Sequence, residues 1–342
     1  MSAGTLDAVE RTQEQHQPSW GKVLAPYAQS SVRRSLLDVL TSAVAYFAFS
    51  VLMVLALDVS YWLVLALALP TAGFLLRTYI LFHDCTHGSL WPSKRANIWT
   101  GRVLGLFVFS EFESWKHNHQ VHHATSGDLD RRGVGDLPTL TVAEYHALPL
   151  KGRIGYRLFR NPLVMFGLGW IWALVIQPRM VAKDARSRIK RSVWLTNVAV
   201  VAYVAAWCLA IGWQDYLAIT LPVTFLAGSA GVWLFYVQHQ FEDAYWEGGE
   251  DWSYADAALR GSSYLKLPKV LQFFTGNIGL HHVHHLSARI PNYNLQRAHD
   301  DNEVFHEVPV LTFMDGMRAT RLKLWDPERR RLVTCAEARR SG

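Results

Sequence analysis

Gly276-Asn277-Ile278-Gly279-Leu280-His281-His282-Val283-His284-His285 is the stretch on which the fold turns. Four of its last five residues are histidine. If His281 opens a helical turn, His284 and His285 follow at i+3 and i+4 and share its face. Imidazole is the commonest metal ligand and binds in its neutral form. One helical face with three imidazoles is half of a metal site, so the other half must come from elsewhere in the chain.

Two earlier windows have the same character. His83-Asp84-Cys85-Thr86-His87 places two imidazoles at i and i+4. His117-Asn118-His119-Gln120-Val121-His122-His123 repeats the i, i+3, i+4 spacing in His119, His122 and His123. The three windows hold ten histidines in 17 residues. Random placement would put about one there, so the clusters are not a by-product of composition. His239 stands alone in Gln238-His239-Gln240-Phe241-Glu242-Asp243. His16, His146, His299 and His306 lack such company and are expected to be solvated or held by structural hydrogen bonds.

The windows sit beside long apolar runs. Leu36 to Leu57 and Tyr61 to Phe82 are each 22 residues, enough to cross a bilayer core, and Asp58-Val59-Ser60 turns between them. Ser192 to Trp213 and Tyr216 to Gln238 form a second pair around Gln214-Asp215. The two tight turns carry no Lys or Arg. Arg33 and Arg34 precede the first run; Arg179, Lys183, Arg186, Arg188, Lys190 and Arg191 precede the third. The positive-inside rule then puts both termini and segment 83–191 in the cytoplasm. Segments 97–112 and 163–177 are expected to be interfacial or re-entrant. A single crossing by 163–177 would separate His239 and the last cluster from the earlier histidines. Arg77, about 9 Å along the helix from His83, is expected to snorkel to the nearer surface.

The expected fold is therefore all-α and integral to the membrane. Four transmembrane helices (36–57, 61–82, 192–213, 216–238) form two hairpins under a cytoplasmic helical cap with a histidine-rich di-metal site. Residues 1–32 read as a flexible cytoplasmic arm, 33–310 as the membrane domain and 311–342 as a cytoplasmic tail. Composition agrees. Of 342 residues, half are hydrophobic and only 18% charged. Fourteen Trp and 13 Tyr suit wide water–lipid borders. The +6 formal charge lies beside apolar runs, which points to a membrane surface and away from nucleic acid. Three scattered cysteines suggest no disulfide framework, and the polar N-terminus reads as no cleavable signal peptide.

An all-imidazole site suits zinc, copper, iron or nickel. Structural zinc takes four ligands, usually including thiolates. Eight or nine imidazoles are too many for one ion and enough for two with open positions. Open positions mean chemistry, and iron with nitrogen ligands suits oxygen activation.

The ordered boxes HDCTH, HNHQVHHATSGDLDRRGVGD, QHQFEDAYW and GLHHVHHLSARIPNY resemble the membrane-bound fatty acid desaturases, nearest to the bacterial and cyanobacterial acyl-lipid type. The likeness covers about residues 35–310. It implies two iron ions held by His83, His87, His119, His122, His123, His239, His281, His284 and His285. It implies O2 as co-substrate, an acyl-lipid substrate, and an external electron donor such as a ferredoxin or cytochrome b5-like carrier. The product would be a double bond in an acyl chain. His117 and His282 fall on variable positions of the family pattern, outside the ligand set, and Asn277 is a candidate to hold a water near the metals. Asp84, Asp128, Asp130, Glu242 and Asp243 are candidates to fix ligand tautomers, Asp84 foremost. Lys151, Arg153, Arg157 and Arg160, or Arg329-Arg330-Arg331, are candidates to dock an acidic carrier or anionic lipid. Trp170, Trp172, Trp233 and Tyr236 are candidates to line an acyl tunnel. Two rivals remain at this stage: a di-iron hydroxylase or ketolase of a lipid, alkane or carotenoid, and a metal transporter. Clusters beyond the span ends argue against the transporter.

Overall fold

A computed structural model describes residues 20–340. The proposed arm lies largely outside the described residues. The chain is mostly helical. A short helix α1 (Trp20–Leu24) leads to α2 (Val32–Leu57) and α3 (Tyr61–His87). Then come α4 (Lys94–Phe107), α5 (Phe112–Thr125), α6 (Val142–Ala147), α7 (Leu150–Phe159) and α8 (Pro162–Trp170). Two long helices follow, α9 (Ser187–Ile211) and α10 (Trp213–His239), then α11 (Tyr254–Arg260), α12 (Lys269–Phe274), α13 (His281–Leu286) and α14 (Asn292–Asp300). The chain closes with α15 (Phe313–Ala319) and α16 (Cys335–Ala338).

Among the described residues, four helices, α2, α3, α9 and α10, are long and apolar enough to cross a membrane. They run past the expected ends. α3 continues five residues beyond Phe82 and carries the whole first histidine window. Apolarity marks where lipid ends; the hydrogen-bonded ladder continues until something stops it. Here Gly88 stops it, at φ 71°, with its N–H on Cys85 O and the Ser89 N–H on Asp84 O. A left-handed residue in this position is a common helix terminator. α10 likewise extends to His239.

α3 is central: α2, α4 and α10 all pack along it. Arg77 departs from expectation. It does not reach a surface. It is buried and pairs with Asp38 of α2 at 2.8 Å, donates to the Phe273 carbonyl, and lies 4.1 Å from the Phe273 ring centroid. A carboxylate on the neighbouring helix satisfies the guanidinium more directly than a stretch to water. α7 and the segment 162–179 meet at a 64° bend.

The all-α expectation needs one correction. Short strands β1 (Leu140–Thr141), β4 (Leu324–Asp326) and β5 (Arg331–Val333) form a sheet in the order β1-β4-β5. β2 (Tyr264–Leu265) and β3 (Val310–Leu311) pair in parallel. Strands of two or three residues leave no alternation to read in a sequence. These pairings fold residues 310–338 back onto the head. Trp325 and Leu332 pack with Phe241, Ala244 and Trp246.

Candidate metal centre

Three helix ends and one short helix converge. α5 begins at Glu111, whose carboxylate accepts the N–H groups of Glu113 at 2.9 Å and Ser114 at 2.6 Å, a side-chain N-cap. That start sets the phase of His119, His122 and His123. α13 is only six residues long and is fixed from outside. Leu265 N–H donates to Gly279 O at 2.8 Å, and a Cβ at Gly279 would meet the Leu265 carbonyl at 2.5 Å. Only glycine permits that approach. Gln238 Nε2 donates to Ile278 O at 2.9 Å and so ties the end of α10 to the same turn.

The imidazoles fall into two groups. His83, His87, His119, His123 and His284 form one; His122, His239, His281 and His285 form the other. Within each group the candidate ligand nitrogens lie within 4.8 Å of one another. The two groups hold eight of the ten clustered histidines together with the solitary His239, and leave out His117 and His282. The partition follows helical spacing. His83 and His87, and His119 and His123, are i, i+4 pairs facing the first group. His281 and His285 are the i, i+4 pair facing the second. His122 and His284 cross over. In the first group the Nε2 atoms of His123 and His119 are 3.1 Å apart and those of His284 and His123 are 3.0 Å apart. In the second, His122 and His239 Nε2 are 3.1 Å apart, and His281 and His239 Nε2 are 2.9 Å apart. The His123 and His285 rings stack at 4.1 Å, so the groups share a wall.

Burial, followed by the neighbouring imidazoles, holds His119, His123, His281, His284 and His285 well below the ordinary histidine range. These rings are neutral at pH 7, the form that ligates. His87 Nε2 in the first group and His285 Nε2 in the second are buried without a hydrogen-bond partner. A buried nitrogen left unpaired is costly. A cation in each group would satisfy the nitrogens at once, and an all-nitrogen donor set accepts iron, zinc or copper. The residues fit a pair of metal ions.

The remote nitrogens are oriented from behind. His83 Nδ1 faces Asp84 Oδ1 at 3.3 Å, His122 Nδ1 faces the Asp136 carboxylate, and His239 Nδ1 faces the Gly261 carbonyl at 3.2 Å. Of the acids named from the sequence, Asp84 thus faces an imidazole of the two groups. The other candidates do not. Asp128 caps its own turn through Asp130 N and Arg131, Asp130 accepts from Gly249 N, and Glu242 pairs with Arg331. Acids near a box in sequence point away from it when the chain turns. Asp136 and Gly261 carried no signal that set them apart from their neighbours. His117 is exposed on the far side of α5. His282 is buried behind the groups, with Nε2 on His299 Nδ1 at 3.1 Å, and burial pushes it down to about 3. Asn277 faces α14: its amide donates to Asn292 O at 3.2 Å. His146 bonds the Ala338 carbonyl at 3.1 Å, as a structural histidine would.

Two further expectations change. Arg160 is completely buried and cannot dock a carrier. It donates to Pro138 O at 2.8 Å and Gln240 Oε1 at 2.7 Å, because its carbonyl-rich cradle replaces water. Arg329, Arg330 and Arg331 are paired with Asp326, Glu247 and Glu242. Tyr236 is fixed to the Leu322 carbonyl, while Trp172 is exposed on the outside of the bundle.

The fatty acid desaturase family model matches residues 60–312. A protein described as fatty acid desaturase from Bacillus subtilis (strain 168) is 45% identical over 325 residues, 95% of this chain and 92% of that one. The sn-1 oleoyl-lipid 12-desaturase of Synechocystis sp. is 27% identical over 67% of this chain and 65% of its own length. The chloroplastic omega-6 fatty acid desaturase of Glycine max is 27% identical over 70% of this chain and 56% of its own length. Two converging imidazole groups at the ends of apolar helices, and these matches across most of the chain, make it a member of the fatty acid desaturase family, whose members are oxidoreductases.

Proposed function

We propose that the chain is a multi-pass acyl-lipid desaturase that introduces a double bond into a membrane-borne acyl chain. His83, His87, His119, His123 and His284 hold one iron; His122, His239, His281 and His285 hold the other. The partition of nine imidazoles, seven of them buried and His87 and His119 half-buried, into groups of five and four carries the reading. Bound iron, with O2 and electrons from an external carrier protein, supplies the oxidising power that no side chain has for removing hydrogen from an unactivated methylene. The protein does the rest. Asp84, Asp136 and the Gly261 carbonyl accept the Nδ1 protons of His83, His122 and His239, which leaves Nε2 free to ligate. Burial keeps His119, His123, His281, His284 and His285 unprotonated. Phe235, 5.3 Å from the His122 ring, and Trp115, 4.3 Å from the His119 ring, give the site apolar walls suited to a hydrocarbon.

The same pairing supports the membrane topology. His122 precedes the bent segment 150–179 and His239 follows it, yet their nitrogens meet. The bend is then a re-entrant element, α2–α3 and α9–α10 are the crossing hairpins, and both termini are cytoplasmic, in line with the basic flanks. Exposed Lys151 and Arg157 on α7 remain as a docking patch for an acidic electron carrier. Expression in a host without desaturases, followed by gas chromatography of its fatty acids, tests the reading. New unsaturated acids that vanish in His284→Ala are expected; hydroxylated products alone would overturn it.

A further inference from the structure

α14 begins at Asn292 after Pro291 and has no side-chain cap of its own. Its first N–H is capped instead by a residue 208 positions earlier: Asn292 N donates to Asp84 Oδ2 at 2.8 Å. The Asn292 side chain adds a second bond to the same oxygen at 3.1 Å and a bond to Asp38 Oδ2, also at 3.1 Å. Asp38 is in turn paired with Arg77. Asp84 Oδ1 is thereby left to face His83 Nδ1. Asp38, Arg77, Asp84 and Asn292 are all buried or nearly so.

This arrangement requires an amide. Two carboxylates, Asp84 and Asp38, converge on one group, and a neutral side chain with two N–H donors can hold both. A carboxylate at 292 would add a third negative charge with no proton to share. An apolar residue would leave one oxygen of each acid underbonded in a buried site. We infer that Asn292 is a positioning residue for the first imidazole group: with Asp38 and Arg77 it fixes Asp84, and Asp84 fixes the ring of His83. The second group has its own device in Asp136 and does not share this chain. The inference rests on the ligand assignment above.

The test is metal content and spectroscopy of the full-length protein in detergent. Asn292→Asp is expected to lower bound iron from two ions to about one per chain, without loss of the thermal unfolding transition. In the cobalt(II)-loaded protein, the milder Asn292→Leu should alter the part of the d–d spectrum lost in His83→Ala and leave the part lost in His239→Ala. A merely structural role would disturb both parts together. If both Asn292 variants keep two ions and an unchanged spectrum while His83→Ala loses one, the positioning role is overturned and the ligand assignment stands. If His83→Ala itself keeps two ions, the ligand assignment fails, and this inference with it.

Discussion

His123 Nε2 lies 3.0 Å from His284 Nε2, across 161 residues of chain. One atom comes from the second histidine window and the other from the third, and the contact exists only because α5 and α13 meet over the end of α3. Neutral imidazoles gain little from facing one another with nitrogen lone pairs. The contact makes sense as a set of ligands gathered for one cation.

His284→Ala removes a proposed ligand that touches His123 and lies 4.5 Å, ring to ring, from His83. It is expected to abolish unsaturation in a desaturase-free host and to lower bound iron, while the protein stays in the membrane fraction. Full iron content with retained unsaturation would contradict the assignment.

Asp136→Asn keeps an acceptor beside His122 Nδ1 but removes the negative charge. Loss of such a partner lowers metal affinity about 10–100-fold. The drop should appear in chelator competition as easier loss of one ion per chain. Asp128→Asn, a change to a turn cap, should leave both ions in place.

Much of this was legible in the sequence because i, i+4 spacing is local. His83/His87, His119/His123 and His281/His285 each face one group, as the spacing demands. What was not legible depends on how helices cross. Spacing placed His281, His284 and His285 on one face, yet His284 turns to a different group from its neighbours, because the boundary between groups runs along α13. Asp136 faces the His122 ring where the equally plausible Asp128 and Asp130 face no imidazole, since three acids in one loop look alike until the loop closes. Arg77 looked like a residue bound for the surface because its partner, Asp38, is 39 positions away on another helix.

Arg160→Ala removes a fully buried guanidinium whose partners include Gln240, next to His239, and the Pro138 carbonyl. Each buried acceptor left without a donor costs about 1–3 kcal/mol. The variant is expected to lose at least about 3 kcal/mol of stability. Arg157→Ala, on the exposed face of the same turn, should be nearly neutral. Equal effects in denaturant titrations of the two would show that Arg160 is not needed as a buried brace.

Burial, and the Arg160 guanidinium close by, push Lys323 down to about 8. Between that value and the ordinary lysine value of 10.5 the unfolded chain binds a proton that the folded chain has released. Stability therefore rises with pH across this window, and below it the folded state carries the whole cost of a buried ammonium. Lys323→Met should raise stability at pH 7 by on the order of 1 kcal/mol, seen as a higher thermal midpoint, and flatten the midpoint's rise between pH 8 and 10. A variant that melts lower than the parent at pH 7 would mean that the bond from Lys323 Nζ to Thr320 O outweighs the burial cost.

Group one unites residues 83–123 with His284, and group two unites His122 with His239 and His281. The chain between His123 and His239 must therefore cross the bilayer an even number of times, which α9 and α10 already supply. Single cysteines at Ser60 and Gln214, in a background where Cys85, Cys208 and Cys335 are replaced by serine or alanine, should react with an impermeant maleimide from outside intact cells. A cysteine at exposed His117 should react only after lysis. Labelling of position 117 from outside would invert the topology; labelling of 60 without 214 would mean that the bent segment 150–179 crosses, and the second group could then not assemble.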